Sequence, residues 1–204
     1  LPLAVVLNGP LPMRGFFKSV FFFPSVMSVV VIGFVFQFIL NPAYGTLNVM
    51  LDSIGLGALA QNWLGDPRIA LYSVIFVTCW QGVGYAMVIY LGGLQGIPVD
   101  VLEAASIDGA SGVRRFFHVT LPMLAPVLGV AVLLSTISNI QEFGRIYVLT
   151  GGGPAGATEV FVTYLYDNFN LGNYGYGSAV SVVLFIMLMA LSLLQTKVSE
   201  HIQR

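Results

Sequence analysis

The chain has 204 residues, of which 57% are hydrophobic and only 8% charged, with a mean hydropathy of +0.88. A water-soluble domain carries about 25% charged residues, so this composition excludes an ordinary soluble globule and points to a helical protein embedded in a bilayer. The net charge of −1 does not point to nucleic acid, and no nucleic-acid partner is expected. The single cysteine, Cys79, excludes an internal disulfide framework and a cysteine-rich metal site.

In chain order, "LPLAVVLNGPLPMRG" has neither a starting Met nor a basic leader. Leu1–Leu7 is too short to cross a membrane and reads as the tail of an earlier span, with the N-terminal spans absent from this chain. A crossing helix needs about 20 apolar residues. Four stretches qualify: roughly Ser19–Leu40, Ile69–Leu94, Met123–Phe143 and Gly177–Leu194. Pro24 and Pro126 are expected to kink their helices. Asn41–Arg68 carries turn residues ("NPAYG", "GDP"), and Arg145–Tyr176 carries "TGGGPAGATE" followed by aromatic residues suited to a membrane interface. The chain is rich in glycine, and its glycines lie mostly in or beside spans, where they allow close helix packing. The expected fold is therefore an all-α polytopic transmembrane bundle, a single domain over 1–204.

Charge is concentrated between the second and third spans, in Asp100, Glu103, Asp108, Arg114 and Arg115. Pro98 can open a helix at its first turn, and Asp100 and Glu103 follow near the positive end of its dipole. Gly109 lets the backbone turn. Ser111 can cap a second short helix, which Phe116 and Phe117 anchor, and Pro122 marks the start of the next span. The expectation for 98–122 is a helix–turn–helix elbow with a narrow knob of small residues that fits a cleft in a partner; an ordinary connecting hairpin is the alternative. If this elbow is cytoplasmic, Arg14, Lys18, Arg114, Arg115, Lys197 and Arg204 collect inside and only Arg68 and Arg145 lie outside, as the positive-inside rule requires.

Polar residues within a span face a cavity or another helix. In the third span Ser135, Asn139 and Glu142 fall at i, i+4 and i+7, on one helix face, with Ser138 beside them. They lie roughly 20 to 30 Å along the helix from Pro122. The second span offers Thr78, Trp80 and Gln81, and Ser25 follows Pro24. Such residues line a solute path or bond a neighbouring helix, the latter worth about 0.6 kcal/mol on average. There is no phosphate-cradling GxxxxGK[ST]. His118 and His201 have no ligand partners nearby in sequence, no metal site is expected, and no nucleophile–base arrangement occurs.

The spacing Glu103-Ala104-Ala105, three residues, Gly109, nine residues, Val119, one residue, Leu121-Pro122 resembles the signature of ABC importer permeases, which usually have Ile where Val119 stands. "GFFKSVFFFPSVMS", "NPAYGTLN", "YVLTGGGPAGATEV" and "YGYGSAVSVVLF" resemble the carbohydrate branch, the maltose-type and glycerol-3-phosphate-type permeases. The resemblance implies a type I ABC importer permease fold in the prokaryotic inner membrane and a transport rather than enzymatic role. It implies a second permease subunit, a cytoplasmic ATPase dimer holding ATP and Mg, an extracytoplasmic solute-binding protein and a sugar-like solute, with no cofactor in this chain. It also implies that Glu103, Ala104, Ala105, Asp108 and Gly109 couple to the ATPase. Aligned on the same motif, Ser135, Asn139, Glu142, Thr78 and Gly82 match pocket positions, with Gln81 as neighbour; Glu142 replaces an amide of the maltose member. An ion-gradient-driven secondary transporter, with Glu142 as its ion-linked carboxylate, is the alternative.

Overall fold

The computed structural model describes residues 1–202, with side chains through Ser199; Arg204 and the His201 side chain lie outside the described residues. Among these residues there are helices and no strand: α1 (Pro2–Asn8), α2 (Arg14–Val26), α3 (Val29–Ile39), α4 (Thr46–Ser53), a 3₁₀ turn (Gly57–Leu59), α5 (Ala70–Gln95), α6 (Val99–Ile107), α7 (Gly112–Arg115), a π turn (Phe116–Thr120), α8 (Leu121–Ile140), α9 (Gly144–Thr150), α10 (Phe161–Asn170) and α11 (Tyr174–Ile202). The all-helical expectation holds, and three runs are long and apolar enough to cross a membrane: Ala70–Gln95, Gly112–Ile140 and Tyr174–Ser199. The expected first span is α2 plus α3, interrupted at Met27–Ser28. The interruption comes after Pro24, which sits inside α2, and α8 continues through Pro126.

Two expected spans change their bounds. The third span ends at Ile140, not Phe143, and at its other end it joins α7 through the π turn, so Pro122 lies within a 29-residue helical run. Proline lacks an N–H, and its ring collides with the carbonyl four residues back. A one-residue insertion absorbs that mismatch: the N–H of Leu121 reaches back to the carbonyl of Phe116. The fourth span begins at Tyr174, well before Gly177–Leu194, and runs on to Ile202.

The described residues form two compact units, residues 1–25, 82–137 and 188–202, and residues 26–81 and 138–187. In the first, Ala4 and Leu7 of α1 pack with Met87, Leu91 and Leu94 of α5, with Ile97 and with Leu124 of α8. Glycine permits the close approaches. A Cβ on Gly93 would press 2.8 Å from Leu124 Cδ2, and one on Gly84 would strike the Phe21 carbonyl and lie 2.7 Å from Phe22 Cα. The Gln195 amide donates to Thr136 Oγ1 at 2.8 Å, tying α11 to α8.

The second unit is centred on Ile32, Phe36, Leu40, Val74, Val77, Ile146 and Leu149. The Gln37 amide donates to the Val148 and Leu149 carbonyls, fixing α3 to α9. Residues 41–68, read from sequence as a turn-rich loop, contain α4 and are knit by buried Asn48. Its amide nitrogen donates to the carbonyls of Pro42 (3.3 Å) and Gln61 (3.0 Å), and its oxygen accepts from Trp63 Nε1 at 2.7 Å. Both units leave large apolar side chains outward, among them Phe23 at 65% exposure in the first and Phe185 at 65% in the second. Lipid or a partner subunit, not water, is the environment such a surface requires.

Because the two nearest neighbours of Gly84 are backbone atoms that cannot turn aside, Gly84→Ala is expected to cost about 1–3 kcal/mol. Gly92→Ala, with open space around the new Cβ, is expected to leave stability unchanged or slightly raised. Thermal unfolding of the purified protein in detergent distinguishes the two.

Candidate functional site

The elbow is built as the charge pattern suggests, with differences in detail. Pro98 is the N-cap of α6 rather than its first helical residue, and Asp100 lies in the first turn. α6 closes in a Schellman turn: the Gly109 N–H donates to the Ser106 carbonyl at 3.1 Å and the Ala110 N–H to the Ala105 carbonyl at 2.9 Å. That geometry requires a left-handed residue, and Gly109 has φ +78°. Ser111 stands at the N-cap of α7 but makes no side-chain cap bond. The two arms are tied instead by Arg115, whose Nη1 donates to Ser106 Oγ at 3.1 Å, while that hydroxyl donates to the Leu102 carbonyl at 2.8 Å. Phe116 is half-buried and lines a 320 Å³ cavity with Leu94, Ile97, Leu102 and Arg115. Phe117, expected as a second anchor, is 56% exposed. Glu103, Ala104, Asp108 and Gly109 are exposed and Ala105 is buried. Ile107 stands out at 85% exposure, with Val113 at 73%.

The expected face of Ser135, Asn139 and Glu142 is not formed, because α8 stops at Ile140 and the i+7 spacing presumed an unbroken helix. Glu142 lies in the break and turns toward α9. Its Oε1 accepts the backbone N–H of Arg145 at 3.1 Å and its Oε2 pairs with Arg145 Nη1 at 2.9 Å, a favourable position at a helix start. Arg145, counted from sequence as an outer-loop cation, is 8% exposed. Its Nε donates to Gln81 Oε1 at 3.2 Å, and Gln81 Nε2 donates to the Met27 carbonyl at 3.1 Å. A buried charge is tolerated only when paired and hydrogen-bonded, and each member of this relay supplies the next. The signal in the sequence was Arg145 three residues after Glu142 and flanked by apolar residues.

Asn139 is exposed on α8 and lines a cleft of 470 Å³ with Ile140, Glu159, Val160, Phe161, Tyr164 and Met187. Glu159 and Tyr164 were not singled out from the sequence; they come close to Asn139 only through the fold. Ser135 is exposed on the preceding turn. Thr78 is half-buried and its hydroxyl donates to its own helix, at the Val74 carbonyl 2.8 Å away. Gly82 faces open space. Trp80 packs edge-on against Phe36, with ring centroids 5.2 Å apart. Ser25 Oγ accepts the Tyr85 N–H at 3.1 Å. Among the described residues no group of three or more His, Cys, Asp or Glu is placed to hold a metal ion.

Replacing Gln81 by Leu orphans the Met27 carbonyl and removes a partner of Arg145, so Gln81→Leu is expected to cost about 1–3 kcal/mol per group left unsatisfied. Thr78→Val removes only a bond within one helix and is expected to cost under about 1 kcal/mol. Denaturant unfolding in detergent reads the difference.

Comparison with known proteins places this architecture. A family model, "Binding-protein-dependent transport system inner membrane component", matches residues 2–204. The probable ABC transporter permease YurN of Bacillus subtilis (strain 168) is 44% identical over 200 residues, 97% of this chain and 68% of that protein. The trehalose/maltose transport system permease MalF of Thermococcus litoralis is 38% identical over 98% of this chain and 67% of its own length. The sn-glycerol-3-phosphate transport system permease UgpA of Agrobacterium fabrum is 36% identical over 98% of this chain and 68% of its own length. A crystal structure of a bacterial ABC transporter that imports the acidic polysaccharide alginate superposes with a TM-score of 0.89, covering 100% of this chain and 72% of the matched chain at 23% identity, which speaks to the fold. With a family match over nearly its whole length, apolar runs of spanning length and a shared helical fold, this chain belongs to the inner-membrane components of binding-protein-dependent transport systems.

Proposed function

We propose that this chain is the membrane permease subunit of an ABC importer for a sugar or closely related solute, forming one half of the solute's path. The observation that carries the reading is the 38% identity, over almost the whole chain, to a trehalose/maltose permease, joined to a stiff, solvent-facing elbow. A second permease, a cytoplasmic ATPase dimer carrying ATP and Mg, and an external solute-binding protein complete the machine. No cofactor belongs to this chain, and ATP hydrolysis belongs to the ATPase partner.

The elbow of 98–122 is the coupling segment on the cytoplasmic side. Glu103, Ala104, Ala105, Asp108 and Gly109 form its tip, and the exposure of Ile107 and Val113 gives a protein partner apolar surface to cover. The Schellman closure and the Arg115–Ser106 tie make the tip rigid, which a push from outside requires. Solute passes near Asn139, where Glu159, Tyr164 and Phe161 offer hydrogen-bonding groups and aromatic faces. Thr78, Gln81 and Glu142 shape that path, with Gln81 and Glu142 acting through Arg145. The carboxylate of Glu159 favours uncharged over anionic solutes. The ion-gradient alternative loses its carboxylate, since Glu142 is tied to Arg145 at 2.9 Å, and family membership points away from it.

The transporter reconstituted in vesicles with its binding protein tests the reading. Glu103→Lys and Gly109→Pro are expected to leave the complex inserted while cutting ATP-driven uptake of labelled maltose or trehalose at least tenfold. Unchanged uptake in both, or uptake by the parent protein that follows a proton gradient and ignores ATP, defeats the proposal.

Asn139→Ala is expected to raise the half-saturating sugar concentration about tenfold, the equivalent of ~1.4 kcal/mol, with the amount of assembled transporter unchanged. Uptake kinetics at several sugar concentrations give the value.

A further inference from the structure

We propose that Arg145 is a positioning residue of the solute path: its guanidinium, acting through Gln81, holds the interruption between α2 and α3 in place. The starting observation is a backbone one. At Met27–Ser28 the helix stops within a stretch of spanning length. A carbonyl released there has no water to turn to within a membrane and needs an internal donor.

Gln81 Nε2 supplies that donor to Met27 at 3.1 Å. Gln81 is 4% exposed, so its amide must be oriented from the other end. Arg145 Nε does this by donating to Gln81 Oε1 at 3.2 Å, which turns the amide's NH₂ group toward Met27. Glu142 in turn neutralises Arg145 and holds it at 2.9 Å. The guanidinium fork is what makes this possible. One planar group presents Nε–H to Gln81 and Nη1–H to Glu142 at a fixed angle, which a lysine ammonium on a flexible stem does not reproduce.

The relay also reaches the proposed path. Glu142 stands three residues after Asn139, and Gln81 lies between Thr78 and Gly82 on α5. Arg145 therefore sets the break, the middle of α5 and the end of α8 against one another without itself lining the cleft at Asn139. This solute-path role rests on the transport reading above; the clamp on the break does not.

Two measurements on the full-length permease in its assembled transporter separate these. The first is hydrogen–deuterium exchange of the backbone amides of residues 28–32. The double variant Arg145→Leu/Glu142→Leu removes both charges together and so leaves neither buried alone. It is expected to assemble normally and to exchange at least tenfold faster in this segment. Arg145→Lys is expected to exchange faster by a smaller factor, and Arg68→Leu, which breaks only an exposed pair with Asp66, not at all. The second measurement is uptake of labelled maltose. A rise of at least fivefold in half-saturating concentration is expected in the double variant, with the maximal rate per assembled transporter within twofold of the parent. Unchanged exchange in the double variant, full retention of parental exchange and half-saturation by Arg145→Lys, or faster exchange with an unaltered half-saturation each overturns the proposal. A parent transporter that takes up no sugar defeats the transport reading instead, and the exchange result then decides the clamp alone.

Discussion

Every backbone carbonyl and amide in an apolar surrounding needs a partner, and the architecture of this chain follows from how it meets that demand where helices stop. Unbroken helix meets it without help, which is why Ala70–Gln95 and Tyr174–Ser199 need nothing but apolar side chains. The informative places are the interruptions. At Met27–Ser28 a glutamine from α5 donates to the freed carbonyl. At residues 141–143 a glutamate caps the following helix and neutralises its arginine. Before Pro122 an inserted residue lets the ladder skip and resume. The first two devices use side chains that are bonded to one another in turn through Arg145, so these polar groups form a chain of dependence rather than isolated pairs.

The same reasoning explains the distribution of small residues. Hydrophobic burial gives little drive for helix association in lipid, so contact depends on approach distance. Gly84 and Gly93 sit where α5 meets the backbone of α2 and the side chains of α8, and Gly33 where α3 meets Val148. Elsewhere, as at Gly82 and Gly92, glycine meets nothing, and these positions leave surface for lipid, solute or partner subunits.

Much of the fold was readable from run lengths, because the cost of exposing a peptide group in hydrocarbon makes long apolar stretches helical almost regardless of detail. The elbow was readable for another reason: Pro98, Gly109 and the charges around them are local instructions that work within a few residues. What was not readable depended on long-range partners. Hydropathy is blind to the break at Met27–Ser28, since the donor that stabilises it is 54 positions away. The periodicity that put Glu142 on a face with Ser135 and Asn139 was carried past the point where α8 ends. Arg145 was taken as a surface charge because counting cations by loop ignores what each one touches. Glu159 and Tyr164 meet Asn139 only once α10 has folded back, which no spacing along the chain announces.

The extra residue in the turn before Pro122 fixes an angle. In an α-helix each residue advances about 100° around the axis, so a helix with one residue inserted presents everything upstream rotated by that amount relative to everything downstream. Were position 122 able to donate a hydrogen bond and the turn to tighten, Gly112–Arg115 would swing around the rod while Ser135 stayed put. The imino ring of one proline thus sets the compass bearing at which the elbow leaves the membrane helix.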